Sequence, residues 1–285
     1  MRRAVPWIFL AACGGGTDAP TDRPMTFGGD RPVQLQVPSD FSDDRSYPVV
    51  MILHGYGVSG FIQQTFLGLA DLANTHDVLV LAPDGTIDGT GRPFWNAGTR
   101  WCGAATCPDD VGYLGGVLDE VIATWPVDEA RVSLVGHSNG HFMSYRMMCD
   151  RADVVTAIAG LAGLGPVDPC APSQPVHALH MHGTADAVVP YGGGDWGGVT
   201  VPSAVESVAQ TATRNGCTGA PTAGEPKDLE SQLPGAETVV AITGGCPADG
   251  AADLWTLEGG GHAPSFSPAF VPELTAWLDA HARVR

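Results

Sequence analysis

Two hydrophobic rhythms alternate along the chain. Residues 48–53 (PVVMIL) and 78–82 are short unbroken apolar runs, the pattern of strands buried on both faces. Residues 32–37 alternate like an early strand, and 131–135, 154–161, 176–181, 238–242 and 254–257 read as further strands. Between them the period lengthens. Residues 61–74, 109–125, 139–149, 201–215 and 270–282 have helical spacing. In 109–125 the stripe is Val111, Leu114, Val117, Leu118, Val121 and Ile122, with Asp109 as its cap. Such alternation predicts an α/β protein with a mostly parallel central sheet and helices on both faces. In such sheets active sites lie at the carboxyl ends of the strands, and the unusual residues of this chain cluster there.

Composition narrows the class. The chain has 285 residues, 44% hydrophobic and 16% charged, enough for one domain with a large core. Its net charge of −17 argues against nucleic acid and against docking on anionic lipid, both of which need a basic face. The N-terminus has a basic start (Arg2, Arg3), an apolar stretch too short to span a bilayer, and Leu10-Ala11-Ala12-Cys13, which resembles a bacterial lipobox. The expected organisation is a lipoprotein-type signal peptide over 1–12, lipidation at Cys13, a flexible tether over 13–29 and one catalytic domain over 30–285. The protein is therefore expected to be exported, with membrane contact only through that anchor. Six cysteines remain, and sequential pairing (Cys102–Cys107, Cys149–Cys170, Cys217–Cys246) is the simplest of 15 arrangements in an oxidising compartment. No CxxC pair points to a metal.

The chemistry centres on Gly136-His137-Ser138-Asn139-Gly140, a G-x-S-x-G pattern between a strand-like and a helix-like stretch. A serine there must take a strained turn that projects its hydroxyl at a helix N-terminus, and flanking glycines let the chain cross closely. A serine hydroxyl needs a base held by an acid, in the chain order Ser, Asp or Glu, His. Asp186, just past the strand 176–181, and His262, after three glycines, fit that order; Asp168, Asp195 and Asp253 are the other acids weighed. The oxyanion donors expected are the backbone N–H groups of Asn139 and of Tyr56, with Gly57 as second choice. His137 and His141 flank the nucleophile without the loop position of a base, and are read as pocket residues. Trp95, Trp101 and Trp196 fall in loops and are read either as a substrate platform or as cover for the core; Trp95 and Trp196 are carried as pocket candidates. His180 and His182 share one strand face and His177 the other, so the three do not converge as metal ligands and are read as structural.

The motifs LHGYG (53–57), PDGT (83–86), FWNAG (94–98), DDVGYL (109–114), GHSNG (136–140), HGTADAVVPY (182–191), RNGC (214–217) and EGGGH (258–262) stand in an order that resembles the polyhydroxybutyrate depolymerase and feruloyl esterase family over nearly the whole of 32–285. The resemblance implies an α/β-hydrolase fold and a secreted serine esterase that needs no cofactor. It implies Ser138 as nucleophile, Asp186 as acid and His262 as base, and it supports the Cys149–Cys170 and Cys217–Cys246 pairings. Two departures bear on substrate choice: His141 stands where the family often has a second glycine, and Ala263-Pro264-Ser265-Phe266 replaces an early aromatic. The expected substrates are feruloyl, short or oligomeric esters, because no linker and binding domain follows the last helix; polyester depolymerisation is the alternative, and a catalytically silent binding lipoprotein of the same fold a more distant one. The sequence leaves the oligomeric state open.

Overall fold

A computed structural model describes residues 23–284 except 99–100, 103–106, 167 and 197. The expected signal peptide, Cys13 and the first part of the expected tether lie outside the described residues.

The strands are β1 (Thr26–Phe27), β2 (Val33–Gln36), β3 (Tyr47–Leu53), β4 (Leu79–Leu81), β5 (Thr86–Ile87), β6 (Pro93–Phe94), β7 (Val127–His137), β8 (Ala157–Leu161), β9 (His177–Gly183), β10 (Gly194–Asp195), β11 (Thr200–Val201), β12 (Pro221–Ala223), β13 (Thr238–Thr243) and β14 (Ala252–Leu257). The helices are α1 (Gly60–Phe66), α2 (Leu72–His76), α3 (Asp110–Thr124), α4 (Asn139–Asp150), α5 (Ala204–Asn215) and α6 (Phe270–Ala280). Ten strands form one sheet in the order β1-β2-β4-β3-β7-β8-β9-β14-β13-β12. The block from β4 to β14 is parallel, and the strands outside it pair antiparallel. The expected mostly parallel sheet is what forms.

Alternation along β3 sorts the two layers. Val49, Met51 and Leu53 pack with Leu114, Leu118 and Val121 of α3 and Met143 and Met147 of α4. Val50 and Ile52 pack instead with Leu72 of α2 and Phe270, Leu274 and Trp277 of α6. Helix α5 joins the α3/α4 face through Ala204, Val208 and Ala212. Helices thus cover both faces, and the runs that read as buried strands are covered on both sides. Helix α3 begins where the sequence places it, with the Asp109 side chain accepting from Gly112 N–H.

Three differences from the sequence reading have local causes. The helical stretch 61–74 is two helices, because Leu67 closes α1 and Gly68 turns left-handed at φ 71°. The tether does not extend to Gly29: Thr26 and Phe27 pair with Gln34 and Val33, and Phe27 is buried. Between β4 and α3, where the sequence pattern predicts no strand, Thr86–Ile87 and Pro93–Phe94 form the β5–β6 hairpin. All three expected disulfides are present. Among the described residues no helix is long and apolar enough to cross a membrane.

Candidate active site

Strand β7 ends at His137 and α4 begins at Asn139, so one residue makes the turn. Ser138 makes it at φ 54°, ψ −122°, a conformation that costs an L-residue on the order of 1–3 kcal/mol. The surroundings hold it there. Ser138 N–H donates to Leu161 O (2.8 Å), and Ser138 O accepts from the N–H groups of His141 (2.9 Å) and Phe142 (3.1 Å). A Cβ at Gly136 would collide with Gly140 O, and one at Gly140 with Leu53 O; the two glycines let helix start and strand ends touch. The serine hydroxyl does not cap its own helix. It lies 3.0 Å from His262 Nε2.

His262 reaches that point on the turn after β14. Gly259 takes φ 80°, and a Cβ on Gly183 would strike Gly260 O, so the glycine run lets the loop lie against the end of β9. Ala185 N–H donates to Gly260 O (2.9 Å) and Gly259 N–H to Thr184 Oγ1 (2.8 Å). His262 Nδ1–H donates to Asp186 Oδ2 at 2.8 Å, which leaves Nε2 as acceptor for the serine hydroxyl. The other Asp186 oxygen accepts from Val188 N–H and Val189 N–H, both at 2.8 Å. Burial pushes the Asp186 carboxyl up, but hydrogen bonds from His182, His262 and the Val189 and Val188 amides outweigh it and hold the group well below the usual carboxylate range. The alternative acids lie elsewhere: Asp253 accepts from Trp277 Nε1 (2.9 Å), Asp195 sits in the exposed β10 strand, and Asp168 lies against Gly98.

His137 fastens the base from behind. Its Nε2–H donates to His262 O at 2.9 Å, and its ring lies between those of Phe66 and His262, at centroid distances of 5.2 and 5.0 Å. Burial pushes its pKa down to about 4, so it is neutral near pH 7.

The loop after β3 offers three amides. Gly55 N–H is taken by Gln63 Oε1 (3.0 Å) and Gly57 N–H by Pro93 O (2.8 Å). Tyr56 N–H donates to no described residue, which selects it over Gly57 as the free donor of the loop. Asn139 N–H, first in α4, has no helical carbonyl four residues back. The quoted motifs lock this region together. His54 Nε2 accepts from Gly85 N–H (2.8 Å), His54 O from Trp95 Nε1–H (3.0 Å), and Asp84 Oδ1 from Gly60 N–H (2.7 Å). Asp110, fully buried, takes Arg31 Nη1–H on one oxygen (2.6 Å) and Asn96 N–H on the other (2.7 Å).

A cavity of about 260 Å³ opens over Ser138 and His262, walled by Tyr56, Val58, Ile62, Phe66, His137 and Ala263. Of the expected pocket residues, His137 lines it and three do not. Trp95 is fully buried and tied to His54 and Asn139. Trp196 stacks on Phe142 at 5.5 Å and meets Trp101 edge-on at 5.7 Å, apart from this cavity. His141 is fully buried, its ring lying where a Cβ on Gly160 would be; it faces the sheet and not the substrate side. The residues the sequence reading missed are Ile62 and Phe66, which the helical spacing of 61–74 does not single out, and His182, whose Nε2 lies 3.3 Å from Asp186 Oδ2. The spacing of four residues between His182 and Asp186 was the available signal. A larger cavity, about 580 Å³, lined by Asn96, Phe142, Tyr145 and Arg146, includes neither Ser138 nor His262.

No family model matches the sequence. The chain is 30% identical over 243 residues to feruloyl esterase B of Piromyces equi, covering 82% of this chain and 42% of that protein. It is 29% identical over 193 residues to a probable feruloyl esterase C of Aspergillus niger, covering 66% and 63%, and 26% identical over 280 residues to feruloyl esterase D of Neurospora crassa, covering 92% and 86%. The chain thus spans less than two thirds of the length of the first two relatives. Among solved structures it is similar to an acetyl xylan esterase from Aspergillus awamori (TM-score 0.60, 15% identity, 88% of this chain and 94% of that one). It is also similar to the Bacillus cereus carboxylesterase (TM-score 0.54, 16% identity, 88% and 94%). At such identities the likeness is one of fold.

Proposed function

From a chain of α/β-hydrolase fold whose curated relatives are feruloyl esterases, we propose that this protein is a serine carboxylic ester hydrolase acting on feruloyl or other short or oligomeric esters. The observation that carries the reading is the file Ser138 Oγ–His262 Nε2 (3.0 Å) and His262 Nδ1–Asp186 Oδ2 (2.8 Å), opening on a cavity. His262 takes the hydroxyl proton as Ser138 Oγ bonds to the ester carbonyl carbon. The Tyr56 and Asn139 amides hold the oxyanion that forms. The C–O bond to the alcohol then breaks, and the alcohol leaves with the proton from His262. Water, deprotonated by His262, attacks the acyl-enzyme and releases the acid, and Ser138 regains its proton.

The cavity supports the substrate class. Its wall is largely aromatic and aliphatic (Tyr56, Val58, Ile62, Phe66) and its volume of about 260 Å³ suits one compact acyl group. Three disulfides support export into an oxidising compartment; anchorage at Cys13 is supported by the Leu10–Cys13 pattern. The test is a fluorophosphonate label mapped to Ser138, with turnover of methyl ferulate, short p-nitrophenyl esters and polyhydroxybutyrate compared side by side. Labelling at Ser138 with turnover of the first two supports the reading. A protein that neither labels nor hydrolyses any ester would be a silent binding fold.

A further inference from the structure

Between the sheet and helices α4 and α5, one file of buried histidines and a tyrosine runs among apolar side chains. His141 and Tyr145 enter it from α4, and His180 and His182 from the face of β9 opposite Leu179 and Met181. All four are buried to 1% exposure or less. His182 Nε2 meets Val189 O at 3.0 Å and Asp186 Oδ2 at 3.3 Å. His182 Nδ1 meets His180 Nε2 at 3.2 Å. His180 Nδ1 meets Tyr145 Oη at 2.9 Å and His141 Nε2 at 3.3 Å. His141 Nδ1 has no partner.

These contacts place a hydrogen on His182 Nε2, and for uncharged rings the rest of the file follows from it. Val189 O and the Asp186 carboxylate only accept, so His182 Nε2 carries the hydrogen. A neutral His182 then has its lone pair on Nδ1 and accepts from His180 Nε2–H. His180 in turn accepts at Nδ1, from the Tyr145 hydroxyl and His141 Nε2–H. The one orphan atom, His141 Nδ1, is an acceptor, which is cheaper to bury unpaired than a donor. Burial holds His141 down to about 3 and His180 well below the usual histidine range, so both stay neutral. The groups facing the file are consistent with that polarity. From the loop after β9 the Tyr191 ring stands edge-on to His182 at 5.6 Å, its hydroxyl bonded to Thr256 Oγ1 (2.9 Å). From α5, Thr211 bonds to the Tyr145 side chain and Arg214 lies near it. His137 acts on His141 only through space.

We propose that His182 is a positioning residue for Asp186: the file His141–His180–His182, joined by the Tyr145 hydroxyl, holds the His182 ring so that its Nε2–H, bonded to Val189 O at 3.0 Å, also lies 3.3 Å from the carboxylate oxygen that holds His262. With the Val188 and Val189 amides on the other oxygen, this clamps the carboxylate on both sides. Apolar side chains would fill the same layer without desolvating three imidazoles; the file supplies a directed donor that they would not. The proposal rests on Asp186 being the acid of the Ser138 site.

The test combines tautomer and kinetics. In wild-type protein, nitrogen-15 correlation spectra should show His141 and His180 as neutral Nε2–H tautomers from pH 5 to pH 8, and His182 with a hydrogen on Nε2. His182→Phe should lower kcat by about tenfold or more, as lost outer hydrogen bonds to ligating groups do, with KM within about twofold, and shift the acid limb of the kcat/KM profile. His182→Gln, which keeps an N–H near the Nε2 position, should recover most of kcat. A His182 Nδ1–H tautomer overturns the proposal by itself and needs no variant to fold. So does a folded His182→Phe protein with wild-type kcat and acid limb, whose only change is a lower Tm. Failure of the esterase reading looks different: Ser138 would not label and Ser138→Ala would be without effect, while the tautomers would be unchanged.

Discussion

The Asn139 side-chain amide and the Trp95 backbone bond to each other reciprocally: Trp95 N–H donates to Asn139 Oδ1 at 2.7 Å, and Asn139 Nδ2–H to Trp95 O at 2.9 Å. Asn139 follows the candidate nucleophile directly, so this pair ties the elbow to the loop that carries the FWNAG motif. Replacing Asn139 with Ala leaves a buried N–H and C=O of Trp95 unpaired, at a cost of about 1–3 kcal/mol each at most. The expected outcome is a lower urea midpoint with unchanged m-value, and a loss in kcat larger than any change in KM, because the Asn139 N–H is a proposed oxyanion donor.

The acid and the nucleophile separate by magnitude. Ser138→Ala should abolish ester turnover down to the level supported by binding and the oxyanion donors alone. Asp186→Asn keeps the shape but replaces one acceptor oxygen with a donor, which opposes the His262 Nδ1–H and favours the wrong tautomer; a loss of about 10⁴-fold in kcat is expected. Both proteins should keep the wild-type circular dichroism spectrum. An Asp186→Asn enzyme within tenfold of wild type would remove Asp186 from the proposed role.

Much of this site was legible because its residues are fixed by local rules. Gly136 and Gly140 announce a close crossing, and Asp186 and His262 each follow a strand at the sheet's carboxyl edge, in the chain order the mechanism needs. The misreadings came from contacts that spacing does not encode. His141 is three residues after Ser138, which suggests a shared helical face. But Ser138 is the cap, at φ 54°, outside the helical geometry to which that rule applies, and the His141 ring turns toward Gly160. Trp95 lies outside any strand or helix, yet its indole and backbone bonds to His54 and Asn139 bury it. Strands β1 and β5 are two residues each, too short for a period to register. The link from His182 to Asp186 depends on a tautomer set by His141 and His180, 41 and 2 positions away in sequence, which no local pattern states.

Gly140 tests the elbow as a packing feature. An added Cβ would collide with the backbone carbonyl of Leu53 and lie 2.8 Å from His54 O. Neither carbonyl belongs to a flexible side chain, so strand β3 or helix α4 has to shift. Gly140→Ala should cost on the order of 1–3 kcal/mol and also misplace Ser138. Thermal melts should show a lower Tm, and residual folded protein should label slowly with fluorophosphonate. By contrast, Gly116→Ala inside helix α3, whose Cβ would meet nothing within 4 Å, should leave labelling unchanged and raise Tm slightly, because alanine loses less backbone entropy in a helix than glycine.

The buried imidazoles set the acid limit of stability. Burial lowers His137 and His177 to about 4 and His141 to about 3, pushes His54 down as well, and holds His180 well below the usual range. In the unfolded chain the same groups take up protons near pH 6.5. Over the interval between those values the unfolded state binds more protons, so stability falls as the pH drops. Each group contributes on the order of 1.4 kcal/mol per pH unit within it. Asp186 acts in the same direction further down: its carboxyl is depressed on folding, so its contribution is present above about pH 4 and is lost as the pH falls through the range below. Urea midpoints should therefore be level above about pH 7 and fall steeply from about pH 6 to 4.5, with several protons taken up on unfolding by these histidines together. A level profile down to pH 4.5 would mean that these rings are hydrated in the folded protein, and would remove the physical basis for a neutral file behind Asp186.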